Sequence, residues 1–369
     1  MAGIYIHIPF CKQRCSYCDF FSSTGNRRKE RYVETLCDEL QARKDYLQDE
    51  SIETIYFGGG TPSVLSFSDF TKIFYTLYSV YGENENREVT LEANPDDLSG
   101  DYLPTIRFFP FNRISLGVQS FDDRELQLLN RRHDAQSAVR AVQLLQQAKY
   151  DNISIDLMYG LPGQNLKTWK KTLRQAIDLQ VQHISAYHLT YEEGTPFHQR
   201  LKAGSLTPVD EDMSNRLFEA LMDTLTVAGY EQYEISNFAR PGFQSRHNSS
   251  YWNGTHYLGV GASAHSYNGS SRQWNNKTLT PDYWTSGCEI ELLDEKTKFN
   301  DFVITRLRTM KGMDLKELSS LFGESQKGEC LRQAQKYLAN GLLQYENNFL
   351  RLTRKGIFVS DGIMRDLME

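Results

Sequence analysis

Three of the six cysteines lie within eight residues, at Cys11, Cys15 and Cys18, directly after the strand-like segment 4–9. Thiolates this close repel one another unless a cation neutralises them, so the spacing predicts a metal site rather than three packed core cysteines. A structural zinc site would need a fourth ligand, usually from a second close pair, and the sequence has no further CxxC or HxxxH pair. Three thiolates can instead hold three irons of a cubane cluster and leave the fourth iron open to an exogenous ligand.

The elements that must position these cysteines alternate between strands and helices. Six β-branched or aromatic segments alternate with amphipathic segments of helical periodicity. Six βα units of this kind predict an α/β fold, with a parallel sheet that is covered by helices and is either open or curled into a partial (β/α)6 barrel. The predicted strands are 4–8, 54–57, 88–92, 113–117, 153–157 and 183–189, and the predicted helices include 31–47, 69–81, 135–148 and 166–179.

Other residues that could bind a ligand follow the ends of these predicted strands. Sites in such folds lie at the carboxyl ends of the strands, so the coincidence favours a single ligand pocket. Taken alone, each position has a simpler explanation. The segment 58–62 (GGGTP) is also typical of a strand-to-helix turn with positive φ, and Glu92 of a solvated strand end. The strand-end positions are Cys11, 58–61, Glu92, Gln119 and Asp156.

The cysteine motif carries a family resemblance. A CxxxCxxC motif with an aromatic residue, Tyr17, before its last cysteine is similar to the signature of the radical S-adenosylmethionine (SAM) proteins. The wider string at 7–20 resembles the oxygen-independent coproporphyrinogen III oxidase family and, within it, the heme chaperones; the resemblance extends from Tyr5 to the C-terminus. It implies a [4Fe-4S] cluster on the three cysteines, with SAM on the open iron. An electron from the reduced cluster would then cleave the sulfonium and give a 5'-deoxyadenosyl radical.

The same resemblance assigns a SAM-binding role to nine residues. The GGGTP segment would contact the amino group of SAM, and the carboxylates would accept hydrogen bonds from the ribose hydroxyls. An arginine suits a carboxylate partner, and a methionine would lie near the adenine. The residues implied in this way are Tyr5, Gly59, Gly60, Thr61, Glu92, Gln119, Arg131, Asp156 and Met158.

The βα rhythm stops near residue 190 and gives way to a helix at 210–228, a strand-like segment at 230–238 and a polar, aromatic stretch. That stretch contains 247–252 (HNSSYW), and the resemblance marks HNxxYW as a heme-chaperone signature. Imidazole is a suitable axial ligand for heme iron, so His247 is the predicted heme-contacting residue. The alternative is that the motif caps the open side of the barrel and stabilises a loop through hydrogen bonds.

The sequence divides into three predicted regions. Residues 1–240 form the radical SAM partial barrel, 241–294 form a connecting region with the HNxxYW motif, and 295–369 form a small winged-helix-like α+β domain. In the last region helices are predicted at 301–309, 315–322 and 329–340, and a hairpin at 342–352. Its basic and acidic residues nearly balance, which favours a packing or partner-docking role over DNA binding.

Composition excludes several classes of protein. Hydrophobic residues make up 40% and charged residues 24%, as in ordinary folded proteins, and the net charge of −6 argues against bulk nucleic-acid binding. No apolar run is long enough to span a bilayer, and the N-terminus lacks the pattern of a signal peptide. We therefore expect a cytoplasmic protein without a transmembrane segment, where reduced thiols suit cluster ligation.

Two functions share the predicted cluster and SAM site. A heme chaperone would bind heme and transfer it to an acceptor protein, for example a respiratory one, and would need a reductant for the cluster. A coproporphyrinogen III oxidase would decarboxylate propionates. The chaperone is favoured because Phe20 stands where the oxidase has a further cysteine and because HNxxYW is present. The oxidase also begins with a long N-terminal arm, whereas here Tyr5 is already the first implied SAM-contacting position. A DNA-binding redox sensor is a weaker third reading, which salt-sensitive DNA binding would reveal.

Overall fold

Six parallel strands form the centre of the molecule, and the computed structural model describes residues 1–25, 27–48, 50–286 and 288–369. The strands pair in chain order, each parallel to the next. Helices cover the outer face of the sheet and side chains fill the interior, so almost every strand residue is buried. The strands are β1 Ala2–Ile8, β2 Ile52–Gly59, β3 Glu88–Ala93, β4 Arg113–Gln119, β5 Ile153–Tyr159 and β6 His183–His188.

Four of the helices between the strands begin at side-chain caps. Ser66 and Asn165 each form a reciprocal capping box with the residue three positions later, and Asp122 and Asp134 accept hydrogen bonds from the first-turn N–H groups. The first helix ends five residues earlier than predicted, at Ala42, with no glycine or proline to mark its end. The helices are α1 Lys29–Ala42, α2 Phe67–Tyr81, α3 Leu103–Phe108, α4 Asp123–Leu128, α5 Ala135–Gln147 and α6 Leu166–Asp178, with 3₁₀ turns at Pro62–Val64 and Pro95–Asp97.

Beyond β6 the sheet continues through a short hairpin. After α7 (Pro196–Lys202) and α8 (Glu211–Val227), the strands β7 (Glu231–Gln232) and β8 (Asn237–Ala239) pair with each other, and β8 pairs antiparallel with β6. The single strand-like segment predicted at 230–238 is therefore wrong. The buried carboxylate of Glu234 accepts hydrogen bonds from the backbone of Ser236 and the amide of Asn237, which closes a turn in the middle of that segment.

On the other side of β1 the sheet gains four strands that the sequence did not predict. β9 (His256–Val260) runs parallel to β1, and β10 (His265–Tyr267), β11 (Ser271–Trp274) and β12 (Glu289–Leu292) extend it antiparallel. The HNxxYW residues form helix α9 (Arg246–Asn253) instead of a loop, because Ser245 caps its N-terminus and left-handed Gly254 ends it. The predicted three-region division stays a prediction, and strands β9 to β12 of the predicted connecting region belong to the main sheet.

The C-terminal part forms a second, three-stranded sheet with helices. The predicted break in the helix at 315–340 appears as a kink at Gly323, where φ is +87°. Buried residues of this part belong to the same hydrophobic cluster as the main sheet. Its elements are α10 Glu295–Leu307, β13 Met313–Asp314, α11 Leu315–Ala339, β14 Leu343–Glu346, β15 Phe349–Leu352, α12 Arg354–Ile357 and α13 Ser360–Leu367. Within the described ranges, no helix has the length and apolar character needed to cross a membrane.

Candidate functional site

A cavity of about 530 Å³ opens at the carboxyl ends of the six parallel strands. Residues from the ends of all six strands, or from the loops that follow them, line it, as expected for a parallel α/β sheet. Tyr5 does not line the cavity and lies behind its wall, stacked on Tyr56. The predicted site residues that the cavity does bring together are Cys11, Cys15, Cys18, Gly59, Gly60, Thr61, Glu92, Gln119, Arg131, Asp156 and Met158.

The cysteine loop between β1 and α1 is fixed at its base by the backbone. Cys11 N donates to Ser23 O at 2.9 Å and Ser23 N donates to Pro9 O at 2.6 Å, so both ends of the loop are joined. Farther along, Ser16 N donates to Leu129 O at 3.1 Å and ties the loop to the segment after α4. These bonds hold three thiols at the edge of the cavity.

The surroundings of the thiols fit an iron-sulfur cluster. Thr61 Oγ1 donates to Cys11 Sγ at 3.4 Å, and the Arg131 guanidinium donates to Cys15 Sγ at 3.2 Å. Hydrogen bonds to cluster sulfurs are a common means of tuning the reduction potential. Burial raises the pKa of Cys11, and burial together with the neighbouring thiols raises the pKa of Cys18 to about 11. Such thiols ionise readily only beside a cation, which bound iron provides.

A structural site for a single metal ion, such as zinc, would need several ligand side chains that converge on one point. Within the part of the chain that the structure describes, no group of three histidine, cysteine, aspartate or glutamate side chains is arranged to hold one metal ion.

The glycine turn at the end of β2 fits both explanations that the sequence allowed, namely a turn that needs positive φ and a wall of the ligand pocket. Gly59 has φ of +104°, and a Cβ atom there would lie 2.4 Å from the His7 ring, so the turn requires glycine for steric reasons. At Gly60 a Cβ atom would lie 2.7 Å from Ile8 O. The same turn lines the cavity, and Gly59 N donates to Glu92 Oε2 at 3.2 Å. The bare backbone thus forms part of the wall.

Two carboxylates face the cavity from β3 and β5. Tyr56 Oη donates to Glu92 Oε1 at 2.7 Å, and Ser115 Oγ donates to Asp156 Oδ1 at 3.4 Å. Burial, together with repulsion from the Asp156 carboxylate, raises the pKa of Glu92 to about 7, and burial raises the pKa of Asp156 to about 6. The guanidinium of Arg113, which is 1% exposed, offsets part of this effect. Both groups can therefore change protonation near neutral pH.

Arg131 joins the cysteine loop to the strand ends. Besides Cys15 it donates to Asn94 Oδ1 and to Gly117 O. Gly117 leaves room for it, because a Cβ atom there would lie 3.1 Å from the guanidinium. On the same side of the cavity, Gln119 ends β4 with φ of +66°. Arg131 therefore lies between the three thiols and the rest of the cavity.

Met158 provides an apolar part of the wall. It is buried in a small hydrophobic cluster with Leu129, Leu161 and Leu189, and it also lines the cavity. A flat apolar ring could pack against this surface.

The structure does not bring His247 to the cavity. Its ring is 1% exposed and lies near the amino ends of the strands, at the opposite end of the barrel. Nδ1 is 2.8 Å from Thr54 Oγ1 and Nε2 is 3.0 Å from Tyr251 Oη, so both ring nitrogens have partners inside the protein. The heme contact that the sequence predicted for His247 is left to a heme titration to test; in this conformation neither nitrogen faces an open space where heme iron could bind.

Comparison with known proteins places the chain in a family. The model of the Radical SAM superfamily matches residues 5–176, and that of the HemN C-terminal domain matches residues 293–359. The heme chaperone HemW of Lactococcus lactis is 32% identical over 370 residues, which cover 99% of this chain and 96% of that protein. The chain belongs to the HemW family. HemW of Escherichia coli is 40% identical over 267 residues, 71% of this chain and 69% of that one.

A solved structure supports the fold of this HemW-family chain. The structure titled as coproporphyrinogen III oxidase (HemN) from Escherichia coli, a radical SAM enzyme, has a TM-score of 0.85 with 22% sequence identity. The match covers 100% of this chain and 90% of that one. At this identity it shows the fold alone. The predicted partial barrel with a small C-terminal domain is confirmed, as is the predicted family.

Sequence reasoning missed several cavity residues of this HemW-family chain, and three of them lie at strand ends. Asn94 follows Glu92 at the end of β3, and Tyr187 and His188 end β6. Their position at strand ends was an available signal, but the predicted strand ran past both β6 residues to 189. His188 is the histidine that lines the cavity among the described residues. Its ring lies over Gly160, where a Cβ atom would be 2.5 Å from Nε2.

Proposed function

We propose that this chain is a heme chaperone, which binds heme and transfers it to an acceptor protein while it carries a [4Fe-4S] cluster and SAM. The observation that carries the proposal is the single cavity in which three thiols meet the glycine turn, two carboxylates and Arg131. The near-complete match to HemW of Lactococcus lactis supports the heme-transfer role over other radical SAM functions.

In this proposal Cys11, Cys15 and Cys18 would hold three irons of the cluster and would leave the fourth iron to SAM. The bound cluster supplies the electron that SAM cleavage requires. Thr61 and Arg131 donate hydrogen bonds to the thiolates. The remaining residues bind and orient SAM: the carboxylates accept from the ribose hydroxyls, Arg131 pairs with the SAM carboxylate, and the strand ends exclude bulk water.

We place the heme at the cavity mouth. The side chains of Phe20 and Tyr187 are exposed there to 60% and 41%, and aromatic side chains pack well on a flat macrocycle. His188, also exposed, offers an imidazole for the iron, although its Nε2 is 3.1 Å from Ser214 Oγ and must exchange that partner. Arg14 lines the same region and can pair with a propionate.

A heme titration tests this placement. We expect His188→Ala to weaken heme binding by about tenfold, the equivalent of roughly 1.4 kcal/mol, because the iron loses its axial ligand. His265→Ala is the matched control, since that histidine is exposed but lies outside the cavity lining. His247→Ala should titrate like the wild type. An unchanged heme affinity of His188→Ala would remove His188 from the site.

The coproporphyrinogen III oxidase remains the second candidate because it has the same fold. Anaerobic incubation of the wild-type protein with coproporphyrinogen III, SAM and a reductant separates the two functions. We expect no protoporphyrinogen from this chain. Robust product formation would favour the oxidase and would refute the chaperone proposal.

The partners of the chaperone follow from the same proposal. A reductant must deliver electrons to the cluster, and an acceptor protein, for example a respiratory one, must take the heme. We propose that these exchanges occur in the cytoplasm, where thiols stay reduced. The charge balance of the C-terminal part gives no reason to expect nucleic acid among the partners.

SAM binding should strengthen as pH rises through the range in which the cavity carboxylates ionise. Burial raises the pKa of Glu92 to about 7 and the pKa of Asp156 to about 6, and the ribose hydroxyls and the sulfonium favour the ionised forms. Between pH 6 and 8 we expect affinity to rise by about tenfold, one pKa unit of linkage. Equilibrium dialysis of the reconstituted protein measures this change.

The control for the pH experiment is Glu92→Gln, which should bind SAM more weakly and with a flatter pH profile. In the absence of SAM, a rise in pH has the opposite effect, and it lowers the stability of the folded protein. Because folding raises the pKa of Glu92 from 4.5, the folded apoprotein binds more protons than the unfolded chain between pH 4.5 and 7. Its stability should therefore fall as pH rises through that window. A pH-independent affinity in the wild type would contradict the assignment of these carboxylates to SAM.

A further inference from the structure

Helix α9, which carries the HNxxYW motif, closes the amino end of the barrel. The Glu88 carboxylate at the start of β3 accepts hydrogen bonds from the backbone N–H of Arg246 at 3.0 Å and of His247 at 2.9 Å. A carboxylate in this position satisfies the free N–H groups of a helix N-terminus and complements its dipole. The Arg246 guanidinium also pairs with Glu53 at 2.8 Å. The helix is thereby fixed to the starts of β2 and β3.

The His247 ring projects from this helix into the barrel interior. Its two hydrogen bonds, to Thr54 and Tyr251, define its orientation, and its face stacks on Tyr56 with centroids 4.9 Å apart and an interplanar angle of 26°. Gly3 makes room for this arrangement, because a Cβ atom there would lie 3.4 Å from the ring and 2.7 Å from Thr54 Oγ1. Burial lowers the pKa of His247 to about 3, so the ring is neutral.

Tyr56 connects this ring to the cavity. The Tyr56 side chain is buried, with His247 on one side, and its hydroxyl donates to Glu92 Oε1 at 2.7 Å. The other oxygen of Glu92 accepts from Gly59 N. Each carboxylate oxygen therefore has one donor from the protein, and the orientation of Glu92 depends on where the Tyr56 hydroxyl lies.

We propose that His247 is a positioning residue for the SAM site: its ring holds Tyr56 so that the Tyr56 hydroxyl orients the Glu92 carboxylate toward the ligand. The inference rests on the proposed binding of SAM in the cavity. It assigns His247 a role through Tyr56 and Glu92 at the cavity, in place of direct contact with heme iron.

The other residues of the HNxxYW motif contact both His247 and the C-terminal part of the chain. Trp252 lies under the Arg308 guanidinium at 4.7 Å from its ring centroid, and Arg306 donates to Trp252 O and to Asn253 O. Tyr251 holds the second nitrogen of His247. The motif thus joins the C-terminal part, through α10 and the residues after it, to the interior of the barrel.

Tyr56→Phe gives the sharpest test, because it removes the hydroxyl without changing the packed volume. In the reconstituted protein we expect Tyr56→Phe and His247→Ala each to weaken SAM binding by about fivefold to tenfold, the effect of losing one typical hydrogen bond. His247→Asn keeps a polar atom near the Nδ1 position and should recover part of the loss. The double variant should bind no more weakly than His247→Ala, because both changes act on one chain of contacts.

Equilibrium dialysis with SAM and a heme titration are run on the same preparations. Heme affinity should stay at the wild-type value in all variants. SAM binding unchanged in both Tyr56→Phe and His247→Ala overturns the inference, and so does a loss of heme binding in His247→Ala with SAM binding intact. If His247→Ala fails to fold, Tyr56→Phe decides alone. A wild-type protein that binds no SAM refutes the proposed function instead.

Discussion

Replacement of Cys11, Cys15 and Cys18 together by alanine is expected to abolish the iron-sulfur absorbance of the anaerobically reconstituted protein. These three cysteines line the cavity. Without them a cubane cluster has no thiolate ligand there and cannot persist. Iron and sulfide content per chain should fall from near-stoichiometric to background. The measurement is the visible absorption spectrum together with chemical analysis of iron and sulfide.

The matched control replaces Cys37 and Cys288, which are free and outside the cavity lining, and should leave the cluster content unchanged. A complete cluster in the triple variant would eliminate the central assignment. Zinc bound at these cysteines in place of iron would eliminate it equally.

Arg131→Met is expected to reduce SAM affinity by about 30-fold to 100-fold, roughly the 2–3 kcal/mol of hydrogen bonds that involve a charged donor. The substitution removes the donor to Cys15 Sγ, Asn94 Oδ1 and Gly117 O, and it also removes the predicted partner of the SAM carboxylate. Methionine has a similar length and leaves the buried carbonyl and amide oxygens without a donor. Equilibrium dialysis of the cluster-loaded variant measures the change.

Arg124→Met, an exposed arginine on α4, is the control for loss of positive charge and should bind SAM like the wild type. The reduction potential of the Arg131→Met cluster should fall, because the thiolate of Cys15 loses a hydrogen bond that stabilises negative charge. A variant with unchanged SAM affinity and unchanged potential would place Arg131 outside the site.

The sequence was informative where one local rule determines the structure. All six parallel strands and the strand-end positions of Glu92 and Asp156 follow from alternating periodicities and from the geometry of parallel sheets. The close cysteine spacing likewise predicted that the three thiols would share one site. These features depend on residues near one another in the chain.

Sequence reasoning failed where a distant contact decides the outcome. The segment at 230–238 is rich in aromatic residues, but Glu234 is buried in a pair with Arg308 at 3.0 Å and closes a turn in the middle of the segment. β9 is a strand because it pairs with the free edge of β1. The sequence of 256–260 alone does not distinguish it from a polar loop. The side chain of His247 points into the barrel because Glu88, more than a hundred residues earlier, fixes its helix. Ser245 and Gly254 were the available local signs of that helix.

The parallel pairing of β1 with β9 has a consequence for biosynthesis. β1 leaves the ribosome first, while its neighbour β9 and the helix that closes the barrel are translated only after the other five parallel strands. A nascent chain therefore has an open barrel interior, and one edge of β1 has no partner strand, until β9 has been translated. Until then the open edge of β1 can pair with a strand of another chain, which is a route to aggregation.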